Sequence, residues 1–173
     1  MSDKDILTMI LKDAIKVESD GYHFYKMAAE KTTDPKGKEI FESLASDEIE
    51  HMEALKKQYQ LYQNEGKLDW QEKEFEKKSA FDPSSESPIF SDDFKERITD
   101  SHFEMTALSI GIMLEQNSID FYRKSAEKSE DPQAKKLFSY LASWEGEHLR
   151  ALIAQQNYLK EEYWTENRFF PSI

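Results

Sequence analysis

Apolar side chains recur at intervals of three and four residues along most of the chain, which places them on one face of an α-helix. Polar, turn-forming residues separate these stretches. Glycine and proline number only five each, which favours helices over sheets because tight turns depend on these two residues. We therefore predict an all-α chain with four long helices, over about residues 4–31, 35–65, 100–129 and 132–162.

The second half of the chain repeats the first at an offset of 97 positions, without gaps. An Asp-Pro pair lies in the turn of each half, where aspartate suits the cap of a helix and proline its first position. Such a repeat indicates two copies of one helical hairpin related by a pseudo-twofold axis. The aligned identities include Glu18 with Glu115, Phe24-Tyr25 with Phe121-Tyr122, Asp34-Pro35 with Asp131-Pro132, Glu48 with Glu145 and His51 with His148.

A long segment separates the two predicted hairpins. Its Trp70 and four phenylalanines suggest that it packs on the bundle, and its length permits a crossover between opposite ends. The short tail, with Phe169 and Phe170, either docks on its own chain or contacts another subunit. We expect 173 residues to form a single domain, with hairpin 1 at about 4–65, the connection at 66–100, hairpin 2 at about 100–162 and the tail at 163–173.

The predicted buried stripes contain acidic residues at matching places. A buried carboxylate without a partner is costly, so it must be protonated, paired or bound to a metal. Two divalent cations would balance four such carboxylates. Each helix contributes one glutamate, and the second and fourth helices add a histidine three residues later: Glu18, Glu48 with His51, Glu115, and Glu145 with His148.

The spacing brings these side chains to one level of the bundle. Glu18 and Glu48 lie equally far from the turn at residue 33, and Glu115 and Glu145 lie equally far from residue 130. Antiparallel helices therefore place each pair side by side. A histidine three residues after a glutamate shares its helix face and can reach the same ion. The pattern predicts a dinuclear site, with iron or manganese (or a mixed pair) favoured and zinc as an adventitious occupant.

The segments that carry these residues resemble the rubrerythrin branch of the ferritin-like superfamily: Glu18–Tyr25, Asp47–His51, Glu115–Tyr122 and Trp144–His148. The resemblance covers both hairpins. It implies a ferritin-like four-helix bundle with two iron ions that reacts with peroxide or dioxygen, a role in oxidative stress, and often a dimer. It also implies that all six residues are metal ligands, with Glu48 and Glu145 or their counterparts bridging.

Two features depart from the family pattern. The chain contains no cysteine, so it cannot form the electron-donating rubredoxin centre that typical rubrerythrins carry, nor any iron–sulfur cluster. Ser118 stands where the family has an additional carboxylate, one turn after the third-helix glutamate. Electrons would therefore have to come from a separate donor protein.

Charge and hydropathy exclude several other classes of function. The formal net charge is −12, and no basic patch is visible, which argues against a nucleic-acid partner. No apolar run approaches the roughly 20 residues that span a bilayer. The acidic N-terminus does not resemble a signal peptide, and the lack of cysteine fits the cytoplasm. We expect a cytoplasmic protein, and from the resemblance a homodimer.

The leading hypothesis is an oxidoreductase that reduces hydrogen peroxide or dioxygen at a di-iron centre. The alternatives are a ferroxidase or iron storage or delivery protein, and a metal-free helical scaffold whose core glutamates are protonated. Tyr25 and Tyr122 could bond to a ligand or donate electrons, and ordinary core packing is the alternative. Asp47 could orient His51 from behind, although the repeat has Trp144 in that place.

Overall fold

The computed structural model describes residues 3–71 and 102–166. These residues form four α-helices and no strand, as predicted, and each helix begins and ends within a few residues of the predicted bounds. The observed helices are α1 Asp3–Lys31, α2 Pro35–Glu65, α3 His102–Lys128 and α4 Pro132–Glu166.

The turn residues identified in the sequence determine where the helices begin and end. The Asp34 carboxylate accepts a hydrogen bond of 2.7 Å from the backbone N–H of Gly37 and so caps α2. Asp131 does the same for α4, accepting from the N–H groups of Gln133 and Ala134. Gly66 ends α2 in the left-handed conformation, with φ of 70°, which a glycine adopts without steric cost.

The two hairpins pack so that the chain must cross from one end of the bundle to the other. Leu7 near the start of α1 and Tyr62 near the end of α2 belong to one apolar cluster, together with Tyr122 near the end of α3. Ala107 near the start of α3 packs instead with Ala28 near the end of α1. α2 therefore ends at one end of the bundle and α3 begins at the other, which confirms the crossover connection and the ferritin-like arrangement.

A polar layer separates two apolar clusters along the bundle. The first cluster contains Tyr25 stacked on Phe41 from the first repeat, and the second contains Tyr122 stacked on Phe138 from the second. On every helix, the predicted core glutamate lies in sequence between the residues of one cluster and those of the other. The fold therefore places all four glutamates in the middle of the core.

Part of the sequence-based interpretation lies outside the described residues. The predictions that most of the connection packs on the bundle and that the tail docks on its own chain or on another subunit concern residues 72–101 and 167–173, which are not among those described. At the start of the connection, Leu68 and Trp70 are buried in the second apolar cluster. None of the helices within residues 3–71 and 102–166 is long and apolar enough to cross a membrane. The assignment of the whole chain to one domain stays a prediction.

Candidate metal centre

The structure brings all six predicted metal ligands together in the polar layer. Each is at most 4% exposed, although all six are ionisable and such residues are almost never fully buried without a partner. The polar layer therefore forms one enclosed cluster with the following members: Glu18, Glu48, His51, Glu115, Glu145 and His148.

The cluster divides into two overlapping groups of potential ligands. Within each group, one oxygen or nitrogen atom from every residue lies within 4.8 Å of those of the others. Glu48 and Glu145 belong to both groups. The bridging role that the resemblance implies for them stays a prediction. The repeat offset converts one group into the other, so the pseudo-twofold axis passes between them. The groups are Glu18, Glu48, His51 and Glu145, and Glu48, Glu115, Glu145 and His148.

Both histidines point the same ring nitrogen into the cluster. Nδ1 of His51 lies 3.1 Å from a carboxylate oxygen of Glu18 and 3.1 Å from one of Glu145. Nδ1 of His148 lies 3.2 Å from the other oxygen of Glu145 and 3.8 Å from Glu115. Each imidazole thus offers Nδ1 among carboxylate oxygens, where it could bind the same cation as they do.

The two predicted near-site tyrosines each reach into the opposite repeat. The Tyr25 hydroxyl donates a hydrogen bond to Glu115, and the Tyr122 hydroxyl donates one to Glu18. Burial and the charges of these glutamates raise the pKa of both tyrosines well above the ordinary value, so both hydroxyls keep their protons. Their place in the structure favours a role in holding ligands. Electron donation by them stays a prediction.

Asp47 contacts a different histidine from the one suggested by the sequence. Its carboxylate lies 3.1 Å from Nε2 of His148, in the other repeat, rather than behind His51. The ring of Trp144, at the equivalent place in the second repeat, stands perpendicular to the His51 ring, with 5.5 Å between the ring centroids. Its indole nitrogen is 3.1 Å from Nε2 of His148. Asp47 therefore meets the histidine of the other repeat, whereas Trp144 contacts both histidines, and spacing along one helix reveals neither arrangement.

Burial and mutual repulsion determine how the metal-free cluster holds its protons. Burial raises the pKa of Glu48 well above its ordinary value, and the neighbouring Glu145 and Glu18 raise it further. Burial also raises the pKa of Glu115, with repulsion from Glu145 adding to it. Burial would also raise the pKa of Glu145, but the charges and hydrogen bonds of the two histidines outweigh it and lower the pKa below its ordinary value. Protons therefore neutralise part of the cluster when no cation is present.

Neighbouring carboxylates raise the pKa of both histidines, although burial alone would lower it. Burial alone would lower the pKa of His51, but the charges and hydrogen bonds of Glu145 and Glu18 outweigh it and raise the value to about 10. His148 is likewise raised against the effect of burial, by its bond to Asp47 and by Glu145. A metal that binds here must displace protons from both imidazoles, because a metal-bound imidazole is neutral at the binding nitrogen.

The donor set fits a pair of first-row divalent ions. Four carboxylates and two imidazoles offer hard oxygen and intermediate nitrogen donors, which suit iron and manganese. Two single glutamates plus two Glu-x-x-His pairs form the ligand set of ferritin-like di-iron and di-manganese bundles. With both groups buried and two carboxylates common to them, the residues present are compatible with a dinuclear site.

A family model for rubrerythrin matches residues 9–155. The chain belongs to the rubrerythrin family. The match spans every member of the buried cluster and both tyrosines. Searches of curated proteins and of solved structures each returned no match. As a rubrerythrin-family protein with a buried carboxylate and histidine cluster, the chain is compatible with a di-iron site.

Proposed function

We propose that this rubrerythrin-family protein is a di-iron oxidoreductase that reduces hydrogen peroxide, or dioxygen, with electrons from a separate donor protein. The observation that carries the proposal is the pair of overlapping ligand groups, enclosed in the core and sharing Glu48 and Glu145. Family membership supports it independently. The homodimer and the cytoplasmic location expected from the sequence stay predictions.

The proposed ligand assignment follows the two groups. Glu18 and His51 would serve one ion and Glu115 and His148 the other, while Glu48 and Glu145 would serve both. Two iron ions would supply the electrons for cleaving an O–O bond, since each can change its oxidation state by one. Shared carboxylates suit such a pair because they can change their mode of binding as the charge on the ions changes.

The surrounding residues would position the ligands and hold protons. Tyr25 and Tyr122 each keep a proton on the hydroxyl oxygen and direct it at a ligand carboxylate. Asp47 holds Nε2 of His148, which leaves Nδ1 of that ring directed at the cluster. The apolar clusters above and below the polar layer exclude bulk water from the two ends of the bundle.

Electrons would have to enter from outside the chain. Reduction of one hydrogen peroxide to two waters consumes two electrons and two protons. The chain has no cysteine, so it contains neither a rubredoxin centre nor a cysteine-bound iron–sulfur cluster that could store them. A protein donor that docks on the surface of the bundle is the class of partner that this chemistry requires.

The test is to mix anaerobic, iron-loaded and reduced protein with hydrogen peroxide in a stopped-flow instrument, and separately with air-saturated buffer. We expect near-ultraviolet absorbance to rise much faster with peroxide, with two irons per chain by metal analysis. Free ferrous iron mixed with metal-free protein immediately before the reaction serves as the control. Oxidation no faster with peroxide than with air contradicts the peroxidase function. Uptake of many irons per chain would indicate storage instead.

A further inference from the structure

A cavity of about 210 Å³ opens between α1 and α3 and reaches the proposed metal centre. The exposed Asp20 and Asn117 lie at its mouth, and the buried Glu48 and Glu115 lie at its inner end. Neither His51 nor His148 lines the cavity. The cavity therefore meets the cluster on the side where the carboxylates are and the imidazoles are not.

The cavity lies on the pseudo-twofold axis of the repeat. Six of its nine lining residues fall into three pairs at the repeat offset, one member of each pair from α1 and the other from α3: Val17 with Leu114, Asp20 with Asn117, and Gly21 with Ser118. A molecule that enters along this axis approaches the space between the two ligand groups rather than one group alone.

Gly21 determines how the cavity reaches the cluster. A Cβ atom at this position would lie 3.1 Å from the carboxyl carbon of Glu48 and 3.2 and 3.3 Å from its oxygens. The missing side chain therefore leaves the Glu48 carboxylate open to the cavity. In the second repeat a serine, Ser118, occupies the equivalent position, and the equivalent glutamate, Glu145, does not line the cavity. The opening is thus one-sided, although the surrounding helices are nearly symmetric.

We propose that this cavity is the entry site for a small, neutral oxidant, and that Gly21 and Ser118 set its size limit. The proposal rests on the function proposed above and adds the route by which the oxidant enters and the residues that limit its size. None of the nine lining residues is a lysine, arginine or histidine that could compensate the charge of an anion, and Asp20 at the mouth is already paired with Lys16. The Ser118 hydroxyl and the Asn117 amide are polar groups that a neutral peroxide can hydrogen-bond.

The size of the cavity supports the same class of molecule. Pockets for drug-sized ligands measure about 300–1,000 Å³, which is more than this cavity offers. Hydrogen peroxide and dioxygen have two heavy atoms each and fit with room for water. Gly21 and Ser118 both line the cavity, so a branched organic hydroperoxide would have to pass these two residues.

The test exchanges the residues that the two repeats carry at one of the three paired positions, Gly21 and Ser118. Gly21→Ser gives the first repeat the residue that the second accommodates, and Ser118→Gly opens the second repeat like the first. Nitric oxide, a small neutral molecule, is mixed with the reduced iron-loaded protein and its binding rate is followed by absorbance. We expect Gly21→Ser to bind nitric oxide severalfold more slowly. We expect Ser118→Gly to react severalfold faster with tert-butyl hydroperoxide relative to hydrogen peroxide.

Controls separate the entry route from general damage to the fold. Ser139→Gly introduces the same helix-weakening change at an exposed position of α4 and should leave both rates unchanged. Metal content and thermal melting are measured for every variant. Should Gly21→Ser lose iron, the gain expected for Ser118→Gly still decides the outcome. Wild-type rates in both swapped variants overturn the proposal. Because nitric oxide binding needs no turnover, it tests the entry route even if peroxide is not reduced.

Discussion

The Tyr25 hydroxyl, on α1 of the first repeat, donates a hydrogen bond to the Glu115 carboxylate, on α3 of the second. The equivalent bond from Tyr122 to Glu18 runs the other way across the pseudo-twofold axis. Each hairpin thus supplies the hydrogen-bond donor for a candidate ligand of the other hairpin. The centre is therefore assembled only when both hairpins are packed together, which couples metal binding to the fold of the whole bundle.

Tyr25→Phe should weaken both the fold and the centre. The change removes one donor and leaves a fully buried carboxylate without it, at a cost of about 1–3 kcal/mol in the free energy of unfolding of the metal-free protein. Loss of a group that orients a ligand typically lowers metal affinity by about 10–100-fold. Urea unfolding and metal titration measure the two effects.

The equivalent tyrosine of the second repeat and a nearby control tyrosine test this prediction further. Tyr122→Phe should have the same effect as Tyr25→Phe, because the two bonds are equivalent under the repeat. Tyr22→Phe, only one helical turn away and partly buried, should change neither stability nor affinity appreciably. An unchanged metal affinity in both site variants would show that the tyrosines merely pack in the core.

Much of the fold followed from the sequence because its signals are local or repeated. Asp34 and Asp131 cap helices through bonds to residues two or three positions away, so the sequence alone places the turns. The convergence of Glu18 and Glu48 follows from their equal distance to one turn. The direction of each stripe was readable because apolar neighbours at helical spacing surround the glutamates.

Contacts across the pseudo-twofold axis were beyond such reasoning. The pairing of Asp47 with His148 depends on how α2 and α4 cross, which no spacing within one hairpin determines. The opening at Gly21 lies within one hairpin, but it too was beyond such reasoning, because it depends on the distance from the Gly21 backbone to the Glu48 carboxylate. Helical periodicity tells which face a residue shares, but not which side chain of another helix it meets.

Glu48→Gln and Glu18→Gln should differ in how many ions they lose. If Glu48 is common to both ions, its neutral amide variant weakens both, and the protein purifies with well under one ion per site. Glu18 belongs to one group only, so Glu18→Gln should retain the ion of the other group. Metal analysis and a stepwise titration of each metal-free variant measure this difference.

Glu147→Gln is the matched control for both variants. Glu147 recurs in the repeat but is exposed beside Arg150, 3.8 Å away, so removal of its charge should leave the metal content unchanged. Equal metal content in the Glu48 and Glu18 variants would mean that the proposed sharing of Glu48 is wrong.

Metal-free protein should become less stable as pH rises from about 6.5 to about 10, the ordinary and the raised pKa of His51. His51 has its pKa raised from 6.5 to about 10, so the folded state binds its proton more tightly and loses that stabilisation across this interval. Glu48 and Glu115, raised above 4.5, give a slope of the same sign. Glu145, with a lowered pKa, contributes stability that is lost only as pH falls below 4.5. Each excess proton contributes about 1.4 kcal/mol per pH unit.

Bound ions should reverse this trend. Because the ions replace protons on the same side chains, the rise in melting temperature that added metal causes should grow with pH over the same range. Urea unfolding of the metal-free protein and thermal melts with and without metal, at several pH values, measure both slopes. A metal-induced shift that does not depend on pH would contradict the displacement of protons by the ions.

Asp47→Asn should weaken one of the two ions selectively. The Asp47 carboxylate lies 3.1 Å from Nε2 of His148. Its repeat counterpart, Trp144, makes a ring contact with His51 and places its indole nitrogen 3.1 Å from the same Nε2 of His148, so it supplies no carboxylate to His51. The Asp47 carboxylate favours a proton on Nε2 of His148, which leaves Nδ1 free of a proton to bind a metal ion. An amide in place of the carboxylate removes the negative charge that holds this proton. Affinity for the ion on the His148 side should fall by about 10–100-fold, while the other ion is little affected.

A stepwise metal titration of the metal-free Asp47→Asn protein separates the two binding events. Asp13→Asn, a change at an exposed position of α1, is the control for the loss of one negative charge. If the affinities of both ions fell together, Asp47 would act on the cluster as a whole through its charge. A fall confined to one step would show that the repeat has two chemically different metal positions, because its two halves differ at residues 47 and 144.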